Sequence, residues 1–235
     1  EPLGDEIAPG AVAGAFSAMD AANKNKSYSR IENVEEDRVA FYRTLGYHAI
    51  PKSGEYVYER LRLAQLRGDL YKSKRAVCNY FSKTYTNASY APYTSGYRKA
   101  CLDLYDSWAE QRAATAQDRL YAGMLRDSRA CLELVLHNPK GLGLVGRVIL
   151  IDGRLVAFTF GHELNHDTFC ILYETADLSF KGISQYIFRR VCAEMARYRY
   201  INVMDDSGIA RLKTVKQSYR PAKIMPAYII QRPHA

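Results

Sequence analysis

The chain has 235 residues, 48% of them hydrophobic, enough for a buried core in one large domain or two small ones. Its formal charge is +8, but 25 acidic residues are mixed among 33 basic ones, which excludes a polybasic tail and favours an anionic partner without naming it. No stretch approaches the roughly 20 apolar residues of a membrane span, and the acidic start "EPLGDEIAPG" does not look like a secretion signal but like the edge of a fragment or processed chain.

In chain order, the apolar spacing of Val12, Phe16 and Met19 predicts a first helix from Ala11 to Ala22, closed by "NKNK". "SYSRIENV" predicts a short strand. "EEDRVAFYRTLGY" predicts a helix with acids in its first turn and Gly46 at its end, in keeping with the helix dipole and C-cap preferences. A strand around "EYVYERL" completes an α/β alternation. Next comes a largely helical middle, "YKSKRAVCNYFSKTY" and the long stretch from Ser95 to Asn138, broken near Pro92 to Gly96, with Leu104 and Trp108 as core anchors. Its tyrosines fall at helical spacings and read as packing and hydrogen-bonding groups.

From Gly141 the pattern turns to strands. "LGLVGRVILI" and "RLVAFTFG" flank Asp152-Gly153, a strong two-residue hairpin signal, and "DTFCILYETA" gives a third strand. An amphipathic helix follows, with Ile183, Tyr186, Ile187, Val191, Met195 and Tyr198 in one stripe. Then come a strand "YINVMD", a short helix "SGIARLKTVKQ" starting near Ser207, and a last strand "PAKIMPAYIIQ".

The five cysteines, Cys78, Cys101, Cys131, Cys170 and Cys192, are odd in number and widely spaced; they read as reduced core thiols in a cytosolic chain. "HELNH", His162 to His166, matches the HExxH zinc pattern letter for letter. The alternation around it predicts a hairpin tip, though, where the two histidines need not share a face, so no metal site is expected.

The order hairpin, strand, helix, strand, helix, strand resembles the GNAT acyltransferase fold, whose mixed sheet splays around a helix and holds the acyl donor at the split. Three stretches, "YVYERLRLAQLRGDLYKSKRAVCNYF", "GRLVAFTFGHELNHDTFCILYETAD" and "INVMDDSGIARLKTVKQSYRP" with the final strand, resemble the C-terminal domain of the phosphatidylglycerol lysyltransferase family. That resemblance implies an α+β, tandem GNAT-like acyltransferase fold with mixed sheets flanked by helices. It divides the chain into a first half at 1–96, incomplete at its N-terminus and including the start of a helical connector, the connector proper at 97–140 and a second half at 141–235. It also implies a transferase that moves an aminoacyl group from aminoacyl-tRNA to a lipid or other small acceptor. The localisation implied is cytoplasmic or peripheral to the membrane, with tRNA and an anionic lipid surface as candidate partners.

Where family members carry an Asn-Arg-Glu-Asp-like run, this chain has Asn202, Val203, Met204, Asp205 and Asp206, so the arginine and glutamate are gone. Gly208, Leu212, Lys213, Lys216, Ser218, Tyr219 and Pro221 follow the pattern, as do the "ETAD" run at 174–177 and the basic residues Lys72, Lys74 and Arg75. Aminoacyl transfer needs a group to take the acceptor's proton and carboxylate company for the α-ammonium. Glu174, Asp205 and Asp206 are the candidates, with a helix N-cap as the plainer role for Asp205 or Asp206. Lys72, Lys74, Arg75, Lys181, Arg211, Lys213, Lys216 and Tyr219 are candidate substrate-binding residues, with solvated helix charges, or core packing for Tyr219, as the plainer roles. No cofactor is expected beyond aminoacyl-tRNA as donor. An acyl-CoA N-acyltransferase using acetyl-CoA or another acyl-CoA is the alternative, although the turn "DLSFKGISQ" offers only Gly182 for a pyrophosphate. A non-catalytic module binding tRNA or an anionic ligand is the third reading, favoured by the missing arginine and glutamate.

Overall fold

The computed structural model describes residues 8–23, 28–115 and 119–233. The opening "EPLGDEI" and most of the "NKNK" closure of the first helix lie outside the described residues. The elements in order are α1 (Pro9–Ala22), β1 (Arg30–Glu35), α2 (Glu36–Thr44), β2 (His48–Glu59), α3 (Arg60–Gln65), α4 (Lys72–Thr84), β3 (Ser89–Pro92), α5 (Arg98–Thr115), α6 (Arg119–His137), β4 (Val145–Ile151), β5 (Arg154–Asn165), β6 (Thr168–Ala176), α7 (Ile183–Glu194), β7 (Tyr200–Asn202), α8 (Ala210–Gln217) and β8 (Lys223–Gln231). Short 3₁₀ turns at Asp69–Tyr71 and Ser95–Tyr97 lead into α4 and α5.

The chain forms two compact units, one of Glu1–Tyr56, Asp205–Ser218 and Lys223–Ala235, the other of Val57–Met204 and Tyr219–Ala222. Both are discontinuous in sequence, whereas the halves read from element order are consecutive spans; the span 97–140 consists mainly of α5 and α6. In the first unit β1 pairs antiparallel with β8, Ile31 opposite Ile230. Val12, Phe16, Ile31, Val34, Tyr42 and Ile230 form its core, and the Phe16 ring stacks on Tyr47 at 4.6 Å. This is the apolar face that the helical spacing of Val12 and Phe16 in α1 predicts, closed by Ile31 and Val34 of β1, which share a face because the β1–β8 register shifts between them.

The second unit orders its strands β2–β7–β6–β5–β4–β3, with β2 contributing only its last residues, Val57 to Glu59. Asp152 and Gly153 take φ of 52° and 77°, the left-handed pair that a tight β4–β5 hairpin requires. "HELNH" lies on the β5–β6 hairpin and not on a helix. One face of this sheet packs on α5 and α6 through Leu132, Leu136, Val148, Phe158 and Phe160, with Leu104 and Trp108 half-buried against them. Tyr105 and Tyr93 donate their hydroxyl protons to the carbonyls of Leu125 and Leu136, at 3.0 and 2.8 Å. The other face packs on α7 and α4 through Ile149, Val156, Ile183, Ile187 and Phe81.

Some local features depart from the sequence pattern. A strand, β3, lies between the two stretches read as helical; it pairs antiparallel with β4. Cys131 is exposed, whereas the other four thiols are buried as read, because it sits on a part of α6 that turns away from the sheet. No helix among the described residues is long and apolar enough to cross a membrane.

The β6–α7 connection depends on Gly182. Its φ is +94°, and a Cβ there would lie 2.6 Å from the Val77 carbonyl oxygen of α4 and 3.2 Å from the Phe81 Cβ. Gly182→Ala therefore combines a left-handed penalty with a clash against helix backbone, which cannot rotate away. We expect it to destabilise the protein by about 2–4 kcal/mol in urea denaturation, with the m-value unchanged.

Candidate functional site

The sequence-predicted residues fall into two groups, each built within one unit. In the first unit, Asp205 and Asp206 open the turn before α8. Ser207 and Gly208 take φ of 51° and 71°, so the helix starts at Ala210, three residues later than predicted, and neither aspartate is its N-cap. Each instead closes an Asx-type turn: the Ser207 N–H donates to Asp205 Oδ1 at 2.8 Å, and the Gly208 N–H to Asp206 Oδ1 at 3.0 Å.

Their outer oxygens are held as well. Tyr56 donates its hydroxyl proton to Asp206 Oδ2 at 2.7 Å, and Lys52 Nζ lies 2.8 Å from Asp205 Oδ2. Lys216 donates to the Asp205 carbonyl and sits 5.8 Å from the Tyr56 ring centre. Burial pushes the Asp206 carboxyl up, but the bonds from Tyr56, Ser53 and Gly208 and the charge of Lys213 outweigh it and hold it below the usual range. Asp205 is likewise net lowered: burial raises it, and Lys52 and Ser207 more than offset that. Tyr56 is pushed up to about 12, first by burial and then by Asp206. Both aspartates are thus ionised, weakly basic and fully engaged, which fits anchoring the turn better than taking protons. Arg211 and Lys213, on the outer side of α8, are exposed.

In the second unit the organising group is Glu174. It lies on β6 opposite Thr159 of β5. Parallel pairing of β6 with β7 covers only Thr168 to Cys170, opposite Tyr200 to Asn202; β6 then runs on to Ala176, carrying Glu174 past the end of its partner. Glu174 Oε2 is buried and has no hydrogen-bond partner among the described residues. Desolvation alone pushes the carboxyl up to about 8.

Glu174 is near enough to Tyr219 and Cys192 that its charge would raise both; burial is the larger cause in each case. Tyr219 is buried, packs edge-on against Phe188 of α7 at 5.1 Å, and accepts the Tyr71 hydroxyl proton at its carbonyl, 3.2 Å away. Lys74 Nζ lies 4.3 Å from the centre of the Tyr219 ring, and burial pulls its ammonium below the usual lysine range. A carboxyl, a phenol and a half-desolvated ammonium therefore share one neighbourhood in this unit.

The remaining cations sit elsewhere. Arg75 donates to the carbonyls of Leu66 and Gly68, closing the loop after α3. Lys72 is exposed, and Lys181 is exposed with its ammonium 5.0 Å from the Tyr80 ring centre. Among the described residues no three His, Cys, Asp or Glu side chains are grouped to hold a metal ion. Sequence reasoning missed Tyr56, Lys52 and Cys192. Tyr56 stands in the alternating "EYVYER" strand, but its partner Asp206 lies 150 residues away.

A mixed sheet whose parallel strands separate, with a helix running from one to the other, is the GNAT-like arrangement. The structure is similar to a conserved protein of unknown function from Bacteroides thetaiotaomicron, at 29% identity and a TM-score of 0.80 over 98% of this chain and 77% of that one. It is also similar to L-PGS from Bacillus licheniformis, at 14% identity and 0.68 over 97% and 74% of the chains, and to a GCN5-related N-acetyltransferase from Kribbella flavida, at 12% and 0.51 over 97% and 76%. The profile of the family "Phosphatidylglycerol lysyltransferase, C-terminal" matches residues 1–231, and the chain belongs to that family. No curated protein matches the sequence. Family and fold together support a GNAT-like transferase.

The two acid environments make opposite predictions. Glu174 has a folded-state pKa near 8 against an ordinary 4.5, so its contribution is fully present below about 4.5 and is lost as pH rises through 8. That gap sets an upper limit of about 5 kcal/mol. Relative to its difference from the parent below pH 4, Glu174→Gln should gain a few kcal/mol by pH 8.5 in urea denaturation; parallel pH profiles would contradict the assignment. Tyr56→Phe removes a bond to a lowered carboxylate, whose contribution is present above the ordinary aspartate pKa of 3.8 and fades as pH falls through the lower folded value. It should cost about 2 kcal/mol at pH 7, and the difference should shrink on acidification.

Proposed function

We propose that the protein is an aminoacyltransferase that moves an aminoacyl group from the ester of aminoacyl-tRNA to a hydroxyl of a lipid or another small acceptor. The observation that carries this reading is Glu174: a desolvated carboxyl with no hydrogen-bond partner at Oε2 among the described residues, on the strand that outruns its parallel neighbour, in a chain of the phosphatidylglycerol lysyltransferase C-terminal family. A carboxyl poised near 8 releases and retakes a proton around neutral pH, which a general acid–base group must do.

In the reaction the acceptor oxygen attacks the ester carbonyl, forming a new C–O bond, and its proton passes to the ionised form of Glu174. As the bond to the terminal ribose oxygen of the tRNA breaks, Glu174 returns that proton to the leaving oxygen, so it ends as it began. The Tyr219 hydroxyl and the Lys74 ammonium are the nearby groups able to steady the developing oxyanion. Arg211 and Lys213, exposed on α8, suit sequence-independent contact with phosphates. Asp205 and Asp206 hold the turn that presents α8, so they act through position. An acyl-CoA donor finds less support, since Gly182, the one glycine before α7, is packed against Val77 and Phe81.

The test is incubation with radiolabelled aminoacyl-tRNA and detergent-dispersed lipid extract. Labelled lipid should form, with kcat/KM rising tenfold per pH unit up to about 8. Glu174→Gln should lower kcat by about 10²–10⁴ while keeping the fold. A folded parent that forms no product, or a Glu174→Gln variant with undiminished turnover, would overturn the proposal.

A further inference from the structure

A cleft of about 420 Å³ in the second unit lies outside the chemistry above, between one face of α5, the tip of the β4–β5 hairpin and the end of β6. That volume is within the usual range of small-molecule sites. At helical spacing, Leu104 and Trp108 of α5 stand in an apolar row and Asp103 and Ser107 in a polar row beside it. Leu155, buried, extends the apolar floor, and Asp177 lines the other wall with Arg154. None of these residues belongs to the group around Glu174.

The protein's own side chains show what this lining attracts. Lys99 Nζ lies 2.6 Å from Asp103, Arg154 Nη2 lies 2.9 Å from Asp177, and the Arg112 guanidinium is 5.5 Å from the centre of the Trp108 ring. The side chains of Lys99 and Arg154 are 86% and 70% exposed, so each ion pair contributes little and yields to a ligand at little cost. The chain as a whole carries +8 and repels cations, which makes two carboxylates in one apolar-floored cleft a local reversal of charge. Because the carboxylates belong to different walls and the lining they share is apolar at Leu104, Leu155 and Trp108, the matching molecule has a cation at each end and methylenes between. A phosphate would meet two carboxylates, and the carboxylate of a zwitterion would find only Arg154, which Asp177 already holds.

We infer that this cleft binds a linear aliphatic diamine or polyamine. One ammonium takes the place of Lys99 on Asp103, a second meets Asp177, and the methylenes lie against Leu104, Leu155 and the indole of Trp108, leaving water as they do so. Such binding is independent of acyl transfer at Glu174 and would stand without it.

Trp108 is the only tryptophan of the chain, so its emission reports on the cleft directly. The experiment is titration of the full chain with putrescine and with spermidine, followed by tryptophan fluorescence and by calorimetry, with butylamine as the one-ended comparison. Putrescine and spermidine should change the emission and saturate, and butylamine should bind roughly tenfold more weakly or worse. Asp103→Asn and Asp177→Asn should each weaken putrescine about tenfold. Lys99→Ala should tighten it by removing the competing ammonium, and Asp127→Asn, an exposed acid of α6 outside the cleft, should leave it unchanged. Asp103, Lys99 and Asp127 are exposed, and asparagine at 177 keeps an oxygen for the Ser179 amide, so thermal unfolding of the variants should match the parent and is measured alongside. Absence of binding by the parent, equal affinity for butylamine and putrescine, or a loss in Asp127→Asn as large as in Asp103→Asn overturns the inference. So does saturable heat with unchanged tryptophan emission, which places the amine elsewhere on the protein.

Discussion

Parallel pairing between β6 and β7 lasts three residues on each strand, and the chemistry of the second unit follows from where it stops. Beyond Cys170 the longer strand has its other neighbour, β5, but not β7, and Glu174 Oε2 is buried there with no hydrogen-bond donor among the described residues. An ionised carboxylate there is costly, and the group answers by keeping its proton up to about pH 8. The groups around it are short of water too. Tyr219 and Cys192 are themselves desolvated, and Lys74, partly stripped of water, places its charge over the Tyr219 ring and makes no ion pair with a carboxylate among the described residues.

The aspartate pair of the first unit shows the converse. Asp206 is buried, as few ionisable side chains are, yet its carboxyl is lowered, because a tyrosine hydroxyl, a serine hydroxyl and a backbone amide are all directed at it. Burial alone therefore does not decide what an acid does; the number of donors that meet it does. Donors in place make Asp205 and Asp206 a fixed anchor for the turn into α8. Their absence makes Glu174 a group that titrates in the working range of an enzyme. Of the three candidate acids, only Glu174 lacks a donor among the described residues.

Much of the architecture was legible because it is local. The helical stripe of α7 is buried at Ile183, Ile187 and Val191, and the Asp152-Gly153 hairpin forms where the dipeptide places it. The losses have physical causes. β3 is four residues long and ends in Pro92, so neither alternation nor length could show it; its stability comes from pairing with β4, far along the chain. The start of α8 was misplaced because "DSG" satisfies an N-cap pattern and an Asx turn equally well, and only the left-handed φ of Ser207 and Gly208 separates them. Glu174 could be named from the strand-end acid pattern, but its burial and lack of donors depend on the register of β6 against β5 and the length of β7. The Tyr56–Asp206 bond has no local signature at all.

Helix α4 shows how one short element serves two solvents. At 3.6 residues per turn, Lys72, Ala76 and Tyr80 share the outward face, while Lys74, in the first turn, lies on the same face as the buried Cys78 and Phe81. Its place at the end of that face explains its properties: Lys74 is half-buried, lies across an aromatic ring and loses part of its water, and it makes no ion pair with a carboxylate among the described residues. Arg75, one residue on, turns back to the carbonyls of Leu66 and Gly68 and so fixes the loop before α4. The basic run "YKSKRAVCNYF" is therefore three structures in one: an outer face of exposed charge, a clamp on the preceding loop, and a cation held over Tyr219, beside the acid that the sheet leaves without a partner.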